Sequence, residues 1–163
     1  MTTTTMSDLQ KLSDRAEITD LVALLGACLD DGTFDDMAEL LAEDATVRTP
    51  GGRAEGRDAV IAQAIRTHPA DQSFHHVITN VLVDVVGDRA TARANLVVNI
   101  SVPADGPADP SAPAPVPAPR AGIGEVYHFG LSRTPAGWRF SRVEIVPVWL
   151  SGTLPPTPPP SAA

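Results

Sequence analysis

The spacing of apolar residues changes near residue 75, and this change limits what the chain can fold into. Before that point apolar residues recur every three or four positions, as they do on one face of a helix. After it they recur every second position, as they do in a half-buried strand. Helices followed by a meandering antiparallel sheet predict an α+β domain.

Three helices are predicted before residue 75. The first begins at a capping box formed by Asp14 and Glu17 and ends at Asp31-Gly32. A strand over 45–49 and a turn at 50–52 precede the third helix. The apolar faces of the three helices comprise, in order, Ile18, Leu21, Val22, Leu25 and Leu29; Met37, Leu40 and Leu41; and Val60, Ile61, Ala64 and Ile65.

Two β-hairpins are predicted after residue 75. The first joins the runs 75–86 and 89–102 at Gly87-Asp88, which is a typical hairpin turn. The second joins 124–133 and 138–149 around residues 135–137.

Proline divides the chain, because twelve of its sixteen residues cluster in two places. Seven lie between Pro103 and Pro119, and five lie between Pro155 and Pro160. Such segments lack the large apolar residues that offset the entropy of ordering. We therefore expect one domain over 13–150 with an insertion at 103–120, a flexible N-terminus over 1–12 and a disordered tail over 151–163.

Composition excludes several classes of protein. The formal net charge of −8 disfavours nucleic acid as a partner, since phosphate binding needs basic side chains. The chain has no apolar run of the roughly 18 residues that a membrane helix needs. The N-terminal residues lack the apolar core of a signal peptide, and the single cysteine, Cys28, cannot form an internal disulfide. We expect a cytoplasmic protein that contacts neither nucleic acid nor membrane.

Several motifs occur in a recognisable order. They are LDDGTFD after the first helix, LAEDATV before the first strand, GRDAVI in the third helix, FHHVITN in the long strand, VGDRATA in the hairpin and GWRFSR in the last strand. In this order they resemble the SnoaL-like family of the nuclear-transport-factor-2-like superfamily, in its scytalone-dehydratase-like branch. The resemblance implies a cone in which a curved sheet, packed by three N-terminal helices, surrounds a pocket.

The resemblance also implies a catalytic pair, Asp30 and His76. In dehydratase-like members an aspartate at the LDDG position orients a histidine at the start of the long strand. A neutral imidazole can take a proton near pH 7, and a carboxylate stabilises the imidazolium that forms. The alternative is that Asp30 caps the helix or lies in solvent, because it is about 120° from the centre of the apolar stripe.

Other chemistries of the family lack their residues here. The dehydratase's tyrosine beside the aspartate corresponds to Leu29, and its second pocket histidine has no clear counterpart, although His128 is near in sequence. Ketosteroid isomerase positions correspond to Leu25, Thr49 and Tyr127, which leaves no acid to act as the base. Epoxide hydrolase chemistry is disfavoured because Arg93 lacks an acidic partner.

Four further residues are predicted to bind substrate: Tyr127, Asn80, Arg142 and Trp149. Asn80 is placed in the pocket because it and His76 are both even-numbered positions of one strand. No metal site is predicted, since His75 and His76 point to opposite faces of their strand, and no cofactor is expected.

The sequence leaves two hypotheses open. One is an enzyme, a dehydratase, cyclase or isomerase that acts on a small hydrophobic polyketide- or terpenoid-like molecule by general acid/base catalysis. The other is a noncatalytic module with the same fold that binds a small ligand or mediates dimerisation. We expect a homodimer, with which either hypothesis is compatible.

Overall fold

A computed structural model describes residues 6–102 and 118–154 of the chain. The predicted insertion falls mostly on residues 103–117 and the predicted tail on 155–163, which lie outside the described residues. The elements in chain order are α1 (Met6–Asp31), the 3₁₀ helix η1 (Phe34–Glu39), β1 (Leu41–Thr49), β2 (Gly52–Glu55), α2 (Arg57–Thr67), β3 (Ser73–Val86), β4 (Arg89–Ser101), β5 (Pro119–Thr134) and β6 (Gly137–Gly152).

The six strands form one curved, open sheet in the order β2-β1-β6-β5-β4-β3. Helices that precede a curved sheet confirm the predicted α+β class. One detail differs, because β1 and β6 run parallel to each other, with Val47 opposite Val143. The remaining neighbours are antiparallel. The last strand, β6, thus lies beside β1. The two predicted hairpins, β3–β4 and β5–β6, form a single sheet with the β1–β2 pair.

Three local predictions need correction. Helix α1 begins at Met6, so Asp14 lies inside the helix and does not cap it. The second predicted helix is only a short 3₁₀ turn, and Leu41 opens β1 instead of ending a helix. The turn at 50–52 leads into a four-residue strand, β2, which pairs with the end of β1.

The core lies between α1 and the inner face of the sheet. The apolar stripe of α1 is buried there as its spacing predicts, with Ile18 fully excluded from solvent. The rings of Phe129 and Phe140 pack with their centroids 5.0 Å apart. The largest fully buried side chains are Trp138, Phe129, Phe140, Ile18, Leu41, Leu131 and Val22. Among the described residues, no helix is long and apolar enough to cross a membrane.

A buried ion pair fixes α1 to the hairpin between β5 and β6. Asp14, 3% exposed, accepts two hydrogen bonds from the Arg133 guanidinium at 2.8 and 2.7 Å. It also accepts one from the Trp138 indole at 3.3 Å, and the guanidinium lies 4.5 Å from the Trp138 ring centroid. One turn along α1, Glu17 accepts the backbone N–H of Trp138 at 2.8 Å. The two acids that the sequence assigns to a cap therefore hold the sheet against the helix.

The ion pair predicts how stability depends on Asp14. The hydrogen bonds from Arg133 lower the pKa of Asp14 from 3.8 to about 2. Replacing it in Asp14→Asn should lower the free energy of unfolding by about 2 kcal/mol, as for other hydrogen bonds to charged groups. Urea unfolding at pH 7 measures this loss.

The pH dependence and a control test the same prediction. Because folding depresses the Asp14 pKa, its contribution is present above pH 3.8 and is lost as the pH falls toward 2. Asp88 also binds Arg133, at 3.2 Å, but is 83% exposed. We expect Asp88→Asn to cost less than about 1 kcal/mol. Equal losses in the two variants would contradict the role given to Asp14.

Candidate active site

A cavity of about 570 Å³ opens on the concave side of the sheet. Its walls come from β3, β4, β5 and β6 and from the segment that follows α2. They are mainly apolar, and the polar side chains among them are few: Thr49, Thr67, His68, Gln72, His76, Glu125 and Tyr127. A smaller chamber of about 60 Å³ lies deeper and shares Thr49, His68 and Tyr127 with the main cavity. An apolar cavity with a few converging polar groups is typical of a small-molecule site.

Asp30 and His76 meet at the wall formed by β3. The Nδ1 atom of His76 lies 2.5 Å from Oδ1 of Asp30, and the backbone N–H of His76 donates to both carboxylate oxygens at 3.0 Å. Since a carboxylate only accepts hydrogen bonds, this contact places the ring proton on Nδ1. The Nε2 atom is then the ring nitrogen available to a molecule in the cavity. The His76 side chain is 2% exposed and that of Asp30 is 22% exposed.

Gly26 lies where α1 passes close to β3. A Cβ atom on Gly26 would lie 2.7 Å from Cδ1 of Ile78, so a larger residue there would require the end of the Ile78 side chain to shift. Asp30 follows Gly26 by one helical turn and shares its side of the helix. Asp30 lies about 120° from the centre of the apolar stripe because α1 packs a second side against β3.

Burial and the neighbouring carboxylate act on the pKa of His76 in opposite directions. Removal from solvent lowers the pKa from its ordinary value of 6.5, and it outweighs the hydrogen bond that the ring donates to Asp30, which raises the pKa. The imidazole is therefore neutral at pH 7. This is the state that a proton acceptor needs.

A second histidine, His68, lies beside His76 with the ring centroids 5.6 Å apart. Its Nδ1 atom is 2.9 Å from the carbonyl oxygen of Ala64, and this contact fixes the ring at the end of α2. Burial lowers the pKa of His68 to about 4, so the ring stays uncharged next to His76.

Tyr127 and Glu125 form a second polar group on β5. They are two residues apart on one strand and thus share the inner face. Tyr127 is 4% exposed. Burial raises the pKa of Tyr127 well above 10 and also raises the pKa of Glu125, which the nearby Tyr127 hydroxyl partly offsets.

The family model for the SnoaL-like domain matches residues 10–144. The chain belongs to the SnoaL-like domain family. This confirms the resemblance drawn from the ordered motifs. The matched range includes the Asp30–His76 dyad and the Glu125–Tyr127 pair. No curated protein matches this sequence.

Solved structures share the fold of this SnoaL-like domain. A putative scytalone dehydratase from Novosphingobium aromaticivorans is 19% identical with a TM-score of 0.74, covering 97% of this chain and 99% of that one. A hexachlorocyclohexane dehydrochlorinase, LinA type 2, is also 19% identical, with a TM-score of 0.73 and coverage of 95% and 99%. An NTF2-like protein with a cystatin-like fold, also from N. aromaticivorans, is 30% identical with a TM-score of 0.66 and coverage of 86% and 88%.

Of the four residues predicted to bind substrate in this SnoaL-like domain, two line the cavity and two do not. Tyr127 lines the cavity, and Trp149 lies at its rim with 47% of its surface exposed. Trp149 covers Gly124 so closely that a Cβ atom there would collide with the indole. Arg142 is half-exposed and donates to Glu144 at 3.1 Å, away from the cavity lining.

Asn80 is exposed and outside the cavity lining because a β-bulge interrupts the alternation of β3. The pairing with β4 shifts between Thr79 and Leu82, and Asn80 has a φ of 54°. Asparagine tolerates this left-handed conformation better than most residues. Before the bulge even-numbered residues face inward, as His76 does. Beyond it the odd-numbered Val83 is buried instead.

The sequence analysis missed four polar cavity residues: Thr67, His68, Gln72 and Glu125. Strand alternation could have found Glu125, since it lies two residues before Tyr127. No local signal identifies His68, because only the packing of α2 brings it to His76. His128, considered as a second histidine, lies opposite Arg93 and Glu144 and outside the cavity lining. Within residues 6–102 and 118–154, no group of three or more potential ligands is arranged to hold a metal.

The contact between Asp30 and His76 predicts how the pKa of His76 responds to substitution of Asp30. Because the Asp30 carboxylate raises the His76 pKa against the effect of burial, Asp30→Asn should lower that pKa further. An NMR titration of the imidazole signals in the two proteins measures the shift. Asp31→Asn is the matched control, since Asp31 is exposed at the end of the same helix and should leave the His76 pKa unchanged. An unchanged pKa in Asp30→Asn would contradict the interaction.

Proposed function

We propose that this SnoaL-like domain catalyses a cofactor-independent acid/base reaction on a small hydrophobic carbonyl or hydroxyl compound. Dehydration, cyclisation and isomerisation of polyketide- or terpenoid-like molecules belong to this class, and we propose that the reaction occurs in the cytoplasm. The observation that carries the proposal is the 2.5 Å contact between Asp30 and His76 in the cavity wall.

In this proposal His76 is the base and Asp30 orients it. The Nε2 atom takes a proton from a carbon next to the substrate carbonyl, and the electrons of the C–H bond move into an enolate. Asp30 stabilises the imidazolium through the Nδ1 proton. The Tyr127 hydroxyl holds the substrate oxygen, and Trp149 packs against the substrate at the rim.

The similar structures support a reaction that begins with proton loss. One is named as a putative dehydratase and another as a dehydrochlorinase. Loss of water and loss of hydrogen chloride are both eliminations, in which a base removes a proton next to the carbon that bears the leaving group. The neutral imidazole of His76 fits that task.

A chromogenic probe tests the base independently of the natural substrate. In 4-(4-nitrophenoxy)butan-2-one, removal of the proton next to the ketone expels coloured nitrophenolate. We expect wild-type protein to accelerate this elimination and His76→Gln to lower kcat/KM by about 10²- to 10⁴-fold, the usual contribution of a general base. His75→Gln is the control, because His75 is exposed on the opposite face of the strand.

The outcome decides between the two hypotheses for this domain. Equal rates with wild-type protein and His76→Gln would contradict the enzyme and favour a noncatalytic ligand-binding module. Because protonation of His76 removes its lone pair, the wild-type rate should fall only when the pH drops below the ordinary histidine pKa of 6.5.

We also propose that the protein forms a homodimer through the outer face of its sheet. Val77 and Val146 lie on that face and are 40% and 42% exposed. Light scattering should give a dimer for the wild-type protein and a monomer for Val146→Asp. A monomeric wild-type protein would contradict this arrangement.

A further inference from the structure

A second, smaller chamber of about 60 Å³ lies behind the main cavity. The side chains that line both spaces form the border between them: Thr49, Thr67, His68, Tyr127 and Ile145. The ring of His68 at this border lies 5.6 Å, centroid to centroid, from the ring of His76 in the main cavity. The chamber therefore begins one side chain away from the Asp30–His76 dyad.

The inner walls of the chamber are apolar. They are formed by α1, η1, β1, α2 and β6, through residues such as Leu29, Met37 and Val60. Among the described residues that line the chamber and not the main cavity, Gln63 alone is polar. An apolar space of this kind excludes water and accepts apolar groups.

The polar side chains around the chamber are hydrogen-bonded within the protein. Gln63 is 4% exposed, and its Nε2 atom donates to Oγ1 of Thr49 at 3.1 Å. The same Thr49 oxygen accepts the backbone N–H of Gly51 at 3.1 Å. The Thr67 hydroxyl lies 3.0 and 3.1 Å from the carbonyl oxygens of Gln63 and Ala64. A polar group that entered the chamber would lose its water and find few partners, so the space favours an alkyl group.

The volume of the chamber limits the size of that alkyl group. A water molecule occupies about 30 Å³ in the liquid, and a methyl or methylene group is of similar size. The chamber of about 60 Å³ therefore holds roughly two carbon atoms. Each gains the dispersion contacts that empty space cannot give.

We propose that the chamber is a subsite for the alkyl group on the carbonyl carbon of the substrate, and that it selects a chain of about three carbons there. This inference rests on the proposed function, in which Tyr127 holds the carbonyl oxygen. Because Tyr127 belongs to the border, the first carbon of the chain lies at the border and the next two enter the chamber. The opposite side of the carbonyl, which carries the proton to be removed, stays with His76 in the main cavity.

A series of ketones measures the size of the subsite. The methyl group on the carbonyl of 4-(4-nitrophenoxy)butan-2-one is lengthened to ethyl, n-propyl and n-butyl, and each kcat/KM is divided by the uncatalysed rate of the same ketone. We expect this ratio to rise about fourfold for each of the first two added carbons, the usual gain for a buried methylene group. The n-butyl ketone overfills the chamber and should react more slowly than the n-propyl ketone. A series without a maximum at n-propyl would overturn the proposal.

The variant Ala64→Val fills the chamber from α2. Ala64 lines the chamber and not the main cavity, and valine adds two carbon atoms there. We expect the advantage of the n-propyl over the methyl ketone, about 15-fold in the wild-type protein, to disappear. Ala62→Val is the matched control, because Ala62 is exposed on the same helix, and it should keep the advantage. An equal advantage in wild-type protein and Ala64→Val would contradict the subsite.

The variant Val60→Ala enlarges the same space and should produce a gain that misfolding cannot imitate. Val60 is 4% exposed and lines the chamber but not the main cavity. Removal of its two methyl groups should make the n-butyl ketone the best of the series. If n-propyl stays the best in this variant, another part of the protein sets the limit and the inference fails.

Failure of this inference can be told apart from failure of the proposed function. If wild-type protein accelerates the elimination equally for all chain lengths, the base stands and the subsite fails. If it converts none of the ketones, the proposed function fails, and the same ketones then serve as unreacted ligands in calorimetric titrations. Their Kd should fall about fourfold per carbon up to n-propyl in wild-type protein but not in Ala64→Val. Kd values that do not depend on chain length would overturn the subsite.

Discussion

Helix α1 contacts two parts of the sheet that lie far apart, and the cavity depends on these two contacts. Near its start Asp14 binds Arg133 on β5. Near its end Asp30 binds the backbone and ring of His76 on β3, the edge strand. The two acids are separated by roughly 24 Å of helix, at about 1.5 Å per residue. The sheet is therefore held against one helix at two distant points.

The contact at β3 serves the fold and the chemistry together. An edge strand leaves backbone N–H groups without a strand partner, and Asp30 satisfies that of His76 while it also binds the ring. The same carboxylate therefore positions the strand and fixes the tautomer of the imidazole. This arrangement suits the role of base that we propose for His76, since a base must meet its substrate at a defined position.

The features that follow from local patterns could be predicted from the sequence. The helical face from Ile18 to Leu29 and the two hairpins follow from apolar periodicity, and the ordered motifs led to the family and to the pairing of Asp30 with His76. The bulge at Asn80 could not be anticipated from strict alternation, because one extra residue reverses the faces that follow. His68 joins the site only through the packing of α2, and no periodicity within α2 carries that information.

The charges around the cavity also limit what can bind there. Glu125 lines it and Asp30 lies directly behind His76, while the described lining contains no lysine or arginine. An anionic ligand would lose its hydration and gain only repulsion from these carboxyl groups. A neutral carbonyl compound avoids that cost and can still accept a hydrogen bond from Tyr127. The apolar walls and these carboxyl groups therefore make an uncharged, largely apolar molecule the ligand that we propose for the site.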